Sequence, residues 1–407
     1  MYYPRAMRQC VLEASEQFPV VLLTGPRQVG KTTLLQHLCE KGRRYVTLDD
    51  PALRALARED PALFLQRFEP PVLIDEIQYA PQLLPLVKMA VDARRKTGLF
   101  WLTGSQQFQM MKGISETLAG RVAILNLLGF SHRERHRLPL EVAPFLPTQE
   151  RLKEREASAA ESGLAAIYKE IWQGSFPALI AGPVKDRDLF YSSYLQTYLQ
   201  RDVKDLAQVG NEAAFLRFLK ACAARTAQML NITELARDAD VSVNTAKNWL
   251  SILQASCQVQ LLQSYHTNAT KRLLKTPKLY FLDTGLCAYL AEWSSPETLE
   301  AGAMSGAILE TFVFAEVLKS WWHHGKTPQV YYYRDKDGKE IDLLILQDRK
   351  FFPLETKKSA SPQRQWAGGF SVLDRLKPGW TEGGIICLCR EMLPLSEKVT
   401  AIPLGLL

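Results

Sequence analysis

The sequence is short of several things, and each shortage narrows what the chain can be. Cysteines number seven in 407 residues, an odd count without CxxC or Cys/His spacing. Neither a disulfide framework nor a zinc site is therefore expected. The two near neighbours, Cys387 and Cys389, alternate with Leu388 and would share one face of a strand as reduced thiols. No apolar run approaches the roughly 20 residues that span a bilayer, and no apolar stretch follows Arg5 and Arg8. The chain thus reads as cytoplasmic, with no membrane partner and no secretory signal. Internal repeats and long low-complexity tracts are lacking too. What is present is globular: 47% hydrophobic and 23% charged residues, over a length sufficient for two or three cores. The net charge of +7 is compatible with a nucleic-acid partner and equally with simple solubility.

Residues 1–130 alternate short apolar runs with helix-like stretches, the pattern of a parallel α/β sheet. Strands are expected at 18–24, 44–49, 71–75, 99–103 and 122–127, with helices from Lys31 and from Pro81 to Lys96. Residues 131–163, rich in Arg, His, Pro and Glu, read as a connector. Residues 164–294 are mainly helical, and Phe190, Tyr194 and Tyr198 recur at helix spacing, as core. From 295 to 407 a helix (305–321) precedes strands at 329–333, 340–346, 350–356 and 384–389, a second α/β unit.

The chemistry begins at Gly25-Pro26-Arg27-Gln28-Val29-Gly30-Lys31-Thr32-Thr33, which follows an apolar strand and opens a helix. That context makes it a P-loop. Its glycines let backbone N–H groups curl around phosphates, and the helix N-terminus adds positive dipole. Lys31 is expected on the β/γ phosphates of ATP and Thr32 on Mg²⁺. Asp75 and Glu76 close an apolar strand, where an acidic pair needs a cation to offset its desolvation. Asp75 would complete the Mg²⁺ shell with Thr32, and Glu76 would polarise the attacking water. Thr103 or Ser105, at the end of the next strand, would sense the γ-phosphate. Arg121, after a helix at about 106–119, would point out of its own site toward a neighbour's, which requires a ring or filament of subunits. The alternative is an ordinary surface arginine at a helix end.

The sequence resembles a large group of prokaryotic ATPases with an AAA-type P-loop domain and a long C-terminal region. The likeness runs through Asp75-Glu76-Ile77-Gln78, Leu102-Thr103-Gly104-Ser105, Leu118-Ala119-Gly120-Arg121, Gly174-Ser175-Phe176-Pro177, Tyr194–Tyr198 with Arg201 and Asp202, and Lys278–Gly285. It implies AAA-type ATPase activity and a C-terminal region with a winged helix and a nuclease-like fold.

Residues 211–290 suit a winged helix on their own pattern. Asn231 to Leu253 reads as helix, turn, helix, with Leu235, Ala236, Trp249, Leu250 and Leu253 inward and Ser242 as a cap. Asn244, Thr245, Lys247 and Asn248 are left for DNA, and Lys271, Arg272 and Lys275 would lie on the wing. Nine Lys/Arg against five Asp/Glu over this segment is a modest excess, so a protein-docking role stands beside the DNA one.

In the last domain, Glu310 on a helix, Asp342 on one strand and Glu355-Thr356-Lys357 on the next follow the order of a metal-dependent phosphodiesterase site. The pattern resembles the PD-(D/E)xK fold of restriction enzymes and Holliday junction resolvases. An active nuclease, a nuclease-derived DNA binder and a set of surface ion pairs are the three readings. Lys358 leaves open which lysine faces inward. His132 and His136, four apart in the connector, and His323-His324 lack further ligands and are not expected to hold metal.

The leading expectation is an α/β chain with an AAA-type parallel-sheet domain, a helical middle region with a winged helix, and a restriction-endonuclease-like C-terminal domain. It would be an oligomeric, ATP- and Mg²⁺-dependent machine that remodels DNA, branched DNA included. Its rivals are a signalling or scaffold ATPase that binds protein, and an ATP-regulated defence nuclease.

Overall fold

The computed structural model describes residues 2–104, 117–160, 163–198, 211–266, 275–377 and 379–407. Five parallel strands form the first sheet: β1 (Val20–Thr24), β2 (Arg44–Thr47), β3 (Val72–Asp75), β4 (Phe100–Gly104) and β5 (Val122–Asn126), in the order β2-β3-β4-β1-β5. Alternation along each strand divides the side chains between two cores. Val20, Leu22, Val72, Ile74, Phe100 and Leu102 pack against the helices Pro51–Glu59, Pro61–Arg67 and Leu83–Arg94. Val21, Leu23, Leu73 and Trp101 face the helix Met7–Gln17 and join the large core shared with the rest of the chain. Because β4 lies between β1 and β3, the carboxyl ends of these three strands stand side by side, and they carry the P-loop, Thr103 and Asp75.

The stretch expected to be a connector is instead packed structure. It holds two short helices, His132–Arg135 and Gln149–Glu156, and it buries Arg133, Glu134, Phe145, Leu152 and Arg155. Sequence periodicity missed it because its polar residues are consumed in buried pairs rather than in an apolar stripe. Arg155 donates to the carbonyls of Ala143, Leu406 and Leu407 at 2.9, 3.1 and 2.8 Å, tying the segment to the C-terminus. Glu134 forms a capping box with Ser131 and accepts from Arg5 Nε at 3.0 Å and the Ala6 amide at 2.8 Å. Arg5 donates onward to the carbonyls of Val29, Leu128 and Gly129. Its neighbour charge holds the Glu134 carboxyl well below the usual range even though burial pushes the other way.

In the middle region, the helices Glu212–Ala224, Ile232–Ala239 and Val243–Ala255 accompany a three-stranded antiparallel sheet of β6 (Gln228–Met229, between the first two helices), β8 (Lys278–Phe281) and β7 (Val259–Leu262), in the order β6-β8-β7. The helix–turn–helix is built as its residues suggest. Asn231 and Ser242 cap the two helices, and Asp240 takes a left-handed conformation in the turn. Trp249 packs edge-on to Phe215 and Phe218. Phe190, Tyr194 and Tyr198, on the helix Arg187–Tyr198, are buried core. Asp283 accepts from the Ser175 amide, the Ser175 hydroxyl, the Tyr191 hydroxyl and the Leu286 amide at 2.7–2.9 Å. Gly174 and Gly285 meet there so closely that a Cβ on Gly285 would lie 2.6 Å from the Gly174 Cα. These two motifs are therefore a structural joint.

The C-terminal unit packs the helix Ser305–Trp322 on a mixed sheet of β9 (Gln329–Arg334), β10 (Glu340–Gln347), β11 (Lys350–Lys357), β12 (Gly383–Cys387), β13 (Leu393–Pro394) and β14 (Val399–Pro403), ordered β13-β14-β12-β11-β10-β9. β9, β10 and β11 form an antiparallel meander, and β12 joins β11 in parallel. The expected strands match β9 to β12; β13 and β14, short and bounded by prolines, were not anticipated. The middle sheet and this unit share an interface: Tyr280 stacks on Phe314 at 4.3 Å, and the Tyr265 amide donates to the Tyr332 carbonyl at 2.7 Å. Among the described residues no helix is long and apolar enough to cross a membrane.

Removing one partner of a buried ion pair strands the other, at a cost of about 3–5 kcal/mol. Glu134→Gln should destabilise the chain by that order, seen as a lower midpoint in thermal or urea unfolding. An unchanged midpoint would remove the Arg5–Glu134 pair as a structural anchor.

Candidate functional site

The P-loop leaves β1 and wraps a cradle of backbone. Gly25 has φ +141° and packs so tightly on the end of β5 that a Cβ would sit 2.0 Å from the Leu127 carbonyl oxygen. Gln28 and Gly30 also have positive φ, which turns the loop into the helix Lys31–Leu38. Val29 is buried in the large core, whereas Arg27 is half-buried and Gln28 and Thr33 are exposed. Lys31 is buried, and its Nζ donates to the carbonyls of Gly25 and Pro26 at 3.0 and 2.7 Å. Burial lowers the proton affinity of its amine, and the Glu76 and Asp75 charges work against that. The lysine is thus folded back onto the loop from which a phosphate would draw it.

Asp75 gathers the polar groups of three other elements. Its Oδ1 accepts from Thr32 Oγ1 at 2.6 Å and Thr103 Oγ1 at 2.5 Å, and its Oδ2 from Tyr45 and Thr47 at 3.3 and 3.4 Å. The two residues expected on Mg²⁺, Thr32 and Asp75, therefore touch directly. A hydroxyl beside a buried carboxylate at a P-loop is a donor set that suits Mg²⁺ with ATP phosphates. Glu76 adopts a left-handed conformation at φ +58°, which is costly for a non-glycine residue. Its amide donates to Thr103 Oγ1 at 3.0 Å, and its carboxylate accepts from Gln78. Thr103 thereby sets both acidic residues. Ser105, the other candidate sensor, and most of the helix expected at 106–119 lie outside the described residues. Tyr45 and Thr47 were missed; the signal was Thr47 closing β2 at the same edge.

Arg121 precedes β5 and so stands at the amino-terminal edge of the sheet, opposite the phosphate edge. Its guanidinium makes two bonds to Asp92, at 2.7 and 3.1 Å, on the helix Leu83–Arg94. It is half-exposed and does not serve the site of its own chain.

On the second helix of the helix–turn–helix, Asn244, Lys247 and Asn248 are exposed. Thr245 is half-buried, and its hydroxyl pairs with Ser242 as part of the cap. Lys275 is exposed and reaches the Arg334 carbonyl at 3.4 Å; Lys271, Arg272, Arg201 and Asp202 lie outside the described residues.

The C-terminal carboxylates come together. The β10–β11 register pairs Leu343 with Leu354, so one step on Asp342 lies across from Glu355. Asp342 Oδ2 accepts the Thr356 amide at 2.8 Å, and Lys357 Nζ donates to Glu355 Oε1 at 2.9 Å. Lys358 turns away to Glu300 and Ser305, so Lys357 is the lysine that faces the cluster. Burial, then the charges of Glu310 and Glu355, push the Asp342 carboxyl well above its ordinary range; burial raises Glu355 as well. Such mutual repulsion is relieved by a cation. Lys278 and Tyr280 of β8 also enter, with hydrogen bonds to Glu310 Oε1 at 2.9 and 2.5 Å. Sequence reasoning missed both, because β8 belongs to a different domain.

His132 and His136 do have a third partner. Glu170, on the helix Leu164–Gln173, accepts from His132 Nδ1 at 3.1 Å and His136 Nε2 at 3.0 Å, with Arg135 at 3.9 Å. Burial opposes the His132 charge, but Glu170 and Glu316 more than offset it and raise its pKa, while Glu170 falls well below its ordinary range. Both directions are those of an imidazolium–carboxylate pair. Its stabilisation is complete below about pH 6.5 on the histidine side and is lost as pH rises through the folded His132 value. On the carboxylate side it is complete above about pH 4.3 and is lost as pH falls. The melting difference between the native chain and His132→Asn should be widest between about pH 4.3 and 6.5 and should narrow above it; a difference flat in pH would mean that His132 is neutral in the fold.

Three family matches divide the chain: an AAA domain over 17–136, and domains of unknown function over 165–297 (DUF8612) and 305–407 (DUF4143). Uncharacterized protein Rv2008c of Mycobacterium tuberculosis and Uncharacterized protein Mb2031c of Mycobacterium bovis are each 29% identical over 397 residues, 96% of this chain and 81% of theirs. Among solved structures, the Walker-type ATPase PABY2304 of Pyrococcus abyssi is 15% identical over 70% of this chain and 94% of its own, with a TM-score of 0.42. RuvB of Thermotoga maritima is 17% identical over 62% and 86%, with a TM-score of 0.26. The P-loop, its acidic strand and the sheet that carries them thus fall within the segment that matches an AAA domain, followed by two segments that match domains of unknown function.

Proposed function

We propose that the chain is an ATP- and Mg²⁺-dependent AAA ATPase that assembles into a homo-oligomer and binds and remodels DNA, four-way junctions included. The observation that carries the ATPase half is the contact of Thr32, Thr103 and Asp75 around one carboxylate, beside Lys31 and the strained Glu76. Bound Mg²⁺ would supply charge neutralisation of the phosphates, with Thr32 and Asp75 holding it. Lys31 would exchange its loop carbonyls for phosphate oxygens, and Glu76 would orient and deprotonate water.

Arg121 is read as acting on a neighbouring subunit, since the sheet separates it from its own P-loop; to do so it must leave Asp92. The DNA half rests on the exposed Asn244, Lys247 and Asn248 of a winged-helix-like unit and on the C-terminal cluster. The helix–meander–parallel-strand order and the inward Lys357 favour a PD-(D/E)xK-type phosphodiesterase site, with Asp342 and Glu355 as metal ligands and Lys357 steadying charge.

ATP turnover is to be measured without DNA, with duplex and with a four-way junction. Stimulation by DNA, strongest with the junction, is expected, and Glu76→Gln should lower turnover by about 10²-fold or more while nucleotide still binds. Turnover indifferent to all DNA, with no salt-sensitive binding, would overturn the DNA reading in favour of a protein-directed switch. Arg121→Ala should cost about 10³-fold, and mixing it with inactive Glu76→Gln should restore part of the activity by forming sites with one intact copy of each residue. No recovery on mixing would count against a shared site.

A further inference from the structure

Lys278 stands inside the C-terminal carboxylate cluster without belonging to the domain that builds it. It lies on β8 of the middle sheet and is buried, and its Nζ bonds Glu310 Oε1 at 2.9 Å and Glu340 Oε1 at 2.5 Å. The Asp342 charge also acts on it. Tyr280, two residues on along the same strand, donates to the same Glu310 oxygen. Oε1 of the helix-borne carboxylate is therefore held from the middle domain, and an ammonium ion occupies a place among carboxylates that suits a cation. Arg334 reaches Glu340 only at 3.8 Å, and Lys357 is taken up by Glu355.

We propose that Lys278 is a built-in counter-ion that competes with the divalent cation of this site, so that the middle domain governs its metal loading. The proposal rests on the reading of Asp342 and Glu355 as metal ligands. A second positive centre near the ammonium is repelled, and Glu310 cannot offer Oε1 to a metal while Lys278 and Tyr280 hold that oxygen. The β8 backbone is fixed by its packing, but a lysine side chain is a flexible four-carbon stem and can move alone. A DNA phosphate brought to the cluster would give the ammonium another anion. It would draw Lys278 off Glu310 and Glu340 and admit the metal, so that the site loads when its substrate is present.

The test is Mn²⁺ binding to the full chain without nucleotide, read from the free-Mn²⁺ electron paramagnetic resonance signal, with Asp342→Asn subtracted to isolate this site. Lys278→Gln should tighten the Asp342-dependent dissociation constant about tenfold, and Lys278→Arg, which keeps the charge, should leave it near the native value. Equal, Asp342-dependent affinity in the native chain and Lys278→Gln would overturn the competition while leaving the metal site standing. No Asp342-dependent binding in any of them would take down both. Should Lys278→Gln fail to fold, the native chain supplies the test: duplex DNA should tighten the same Mn²⁺ binding severalfold, and an unchanged affinity overturns the proposal.

Discussion

The Arg5–Glu134 pair is the point on which the rest of the molecule hangs. Arg5 binds the P-loop at Val29, the strand exit at Leu128 and Gly129, and the connector at Glu134. His323, at the end of the helix Ser305–Trp322, closes the network: its Nε2 accepts the Leu128 amide at 3.2 Å and its Nδ1 faces Glu134 at 3.4 Å. Burial lowers the His323 pKa, which agrees with a neutral ring accepting through Nε2. One buried charge pair thus joins the nucleotide loop to the C-terminal domain. Buried pairs contribute little net stability, but breaking one is expensive, so the joint is specific rather than adhesive.

That joint gives the phosphate edge a direct route outward. Val29 shares its core with Tyr194 and Leu253 of the middle region, and the Lys31 charge lies near the Cys257 thiol. Burial pushes the Cys257 thiol up to about 12, so it is present as an inert, neutral group. A phosphate that drew Lys31 from the Gly25 and Pro26 carbonyls would move a charge beneath the middle region. Packed interfaces respond to such a shift by switching between arrangements rather than by yielding gradually.

The middle region touches the other end of the chain through β8, where Lys278 and Tyr280 meet Glu310 and Tyr280 stacks on Phe314. Two candidate chemical sites therefore flank one body of helices and a three-stranded sheet. The Asp283 joint ties that body together, since Ser175, Tyr191 and Leu286 all donate to one carboxylate where two glycines meet.

Local chemistry was legible wherever neighbours in sequence carry it. The P-loop needs only adjacent residues whose glycines permit a curl, the acidic pair needs a strand end, and the helix–turn–helix needs caps and an apolar stripe. All of these are written at fixed short spacings. Tertiary structure alone decided what depends on distant partners. It assigned Thr103 to Asp75 through the insertion of β4 between β1 and β3, and it drew Lys358 away to Glu300 and Ser305, leaving Lys357 to Glu355. It turned a supposed connector into core through Arg5, Arg155 and Glu170, residues whose pairing leaves no periodic trace. It also brought Lys278 to a site built some thirty to eighty residues later in the chain. Sequence determines which groups can do chemistry. Which groups meet is set by strand order and burial, because buried charge must find its partner wherever the fold brings one.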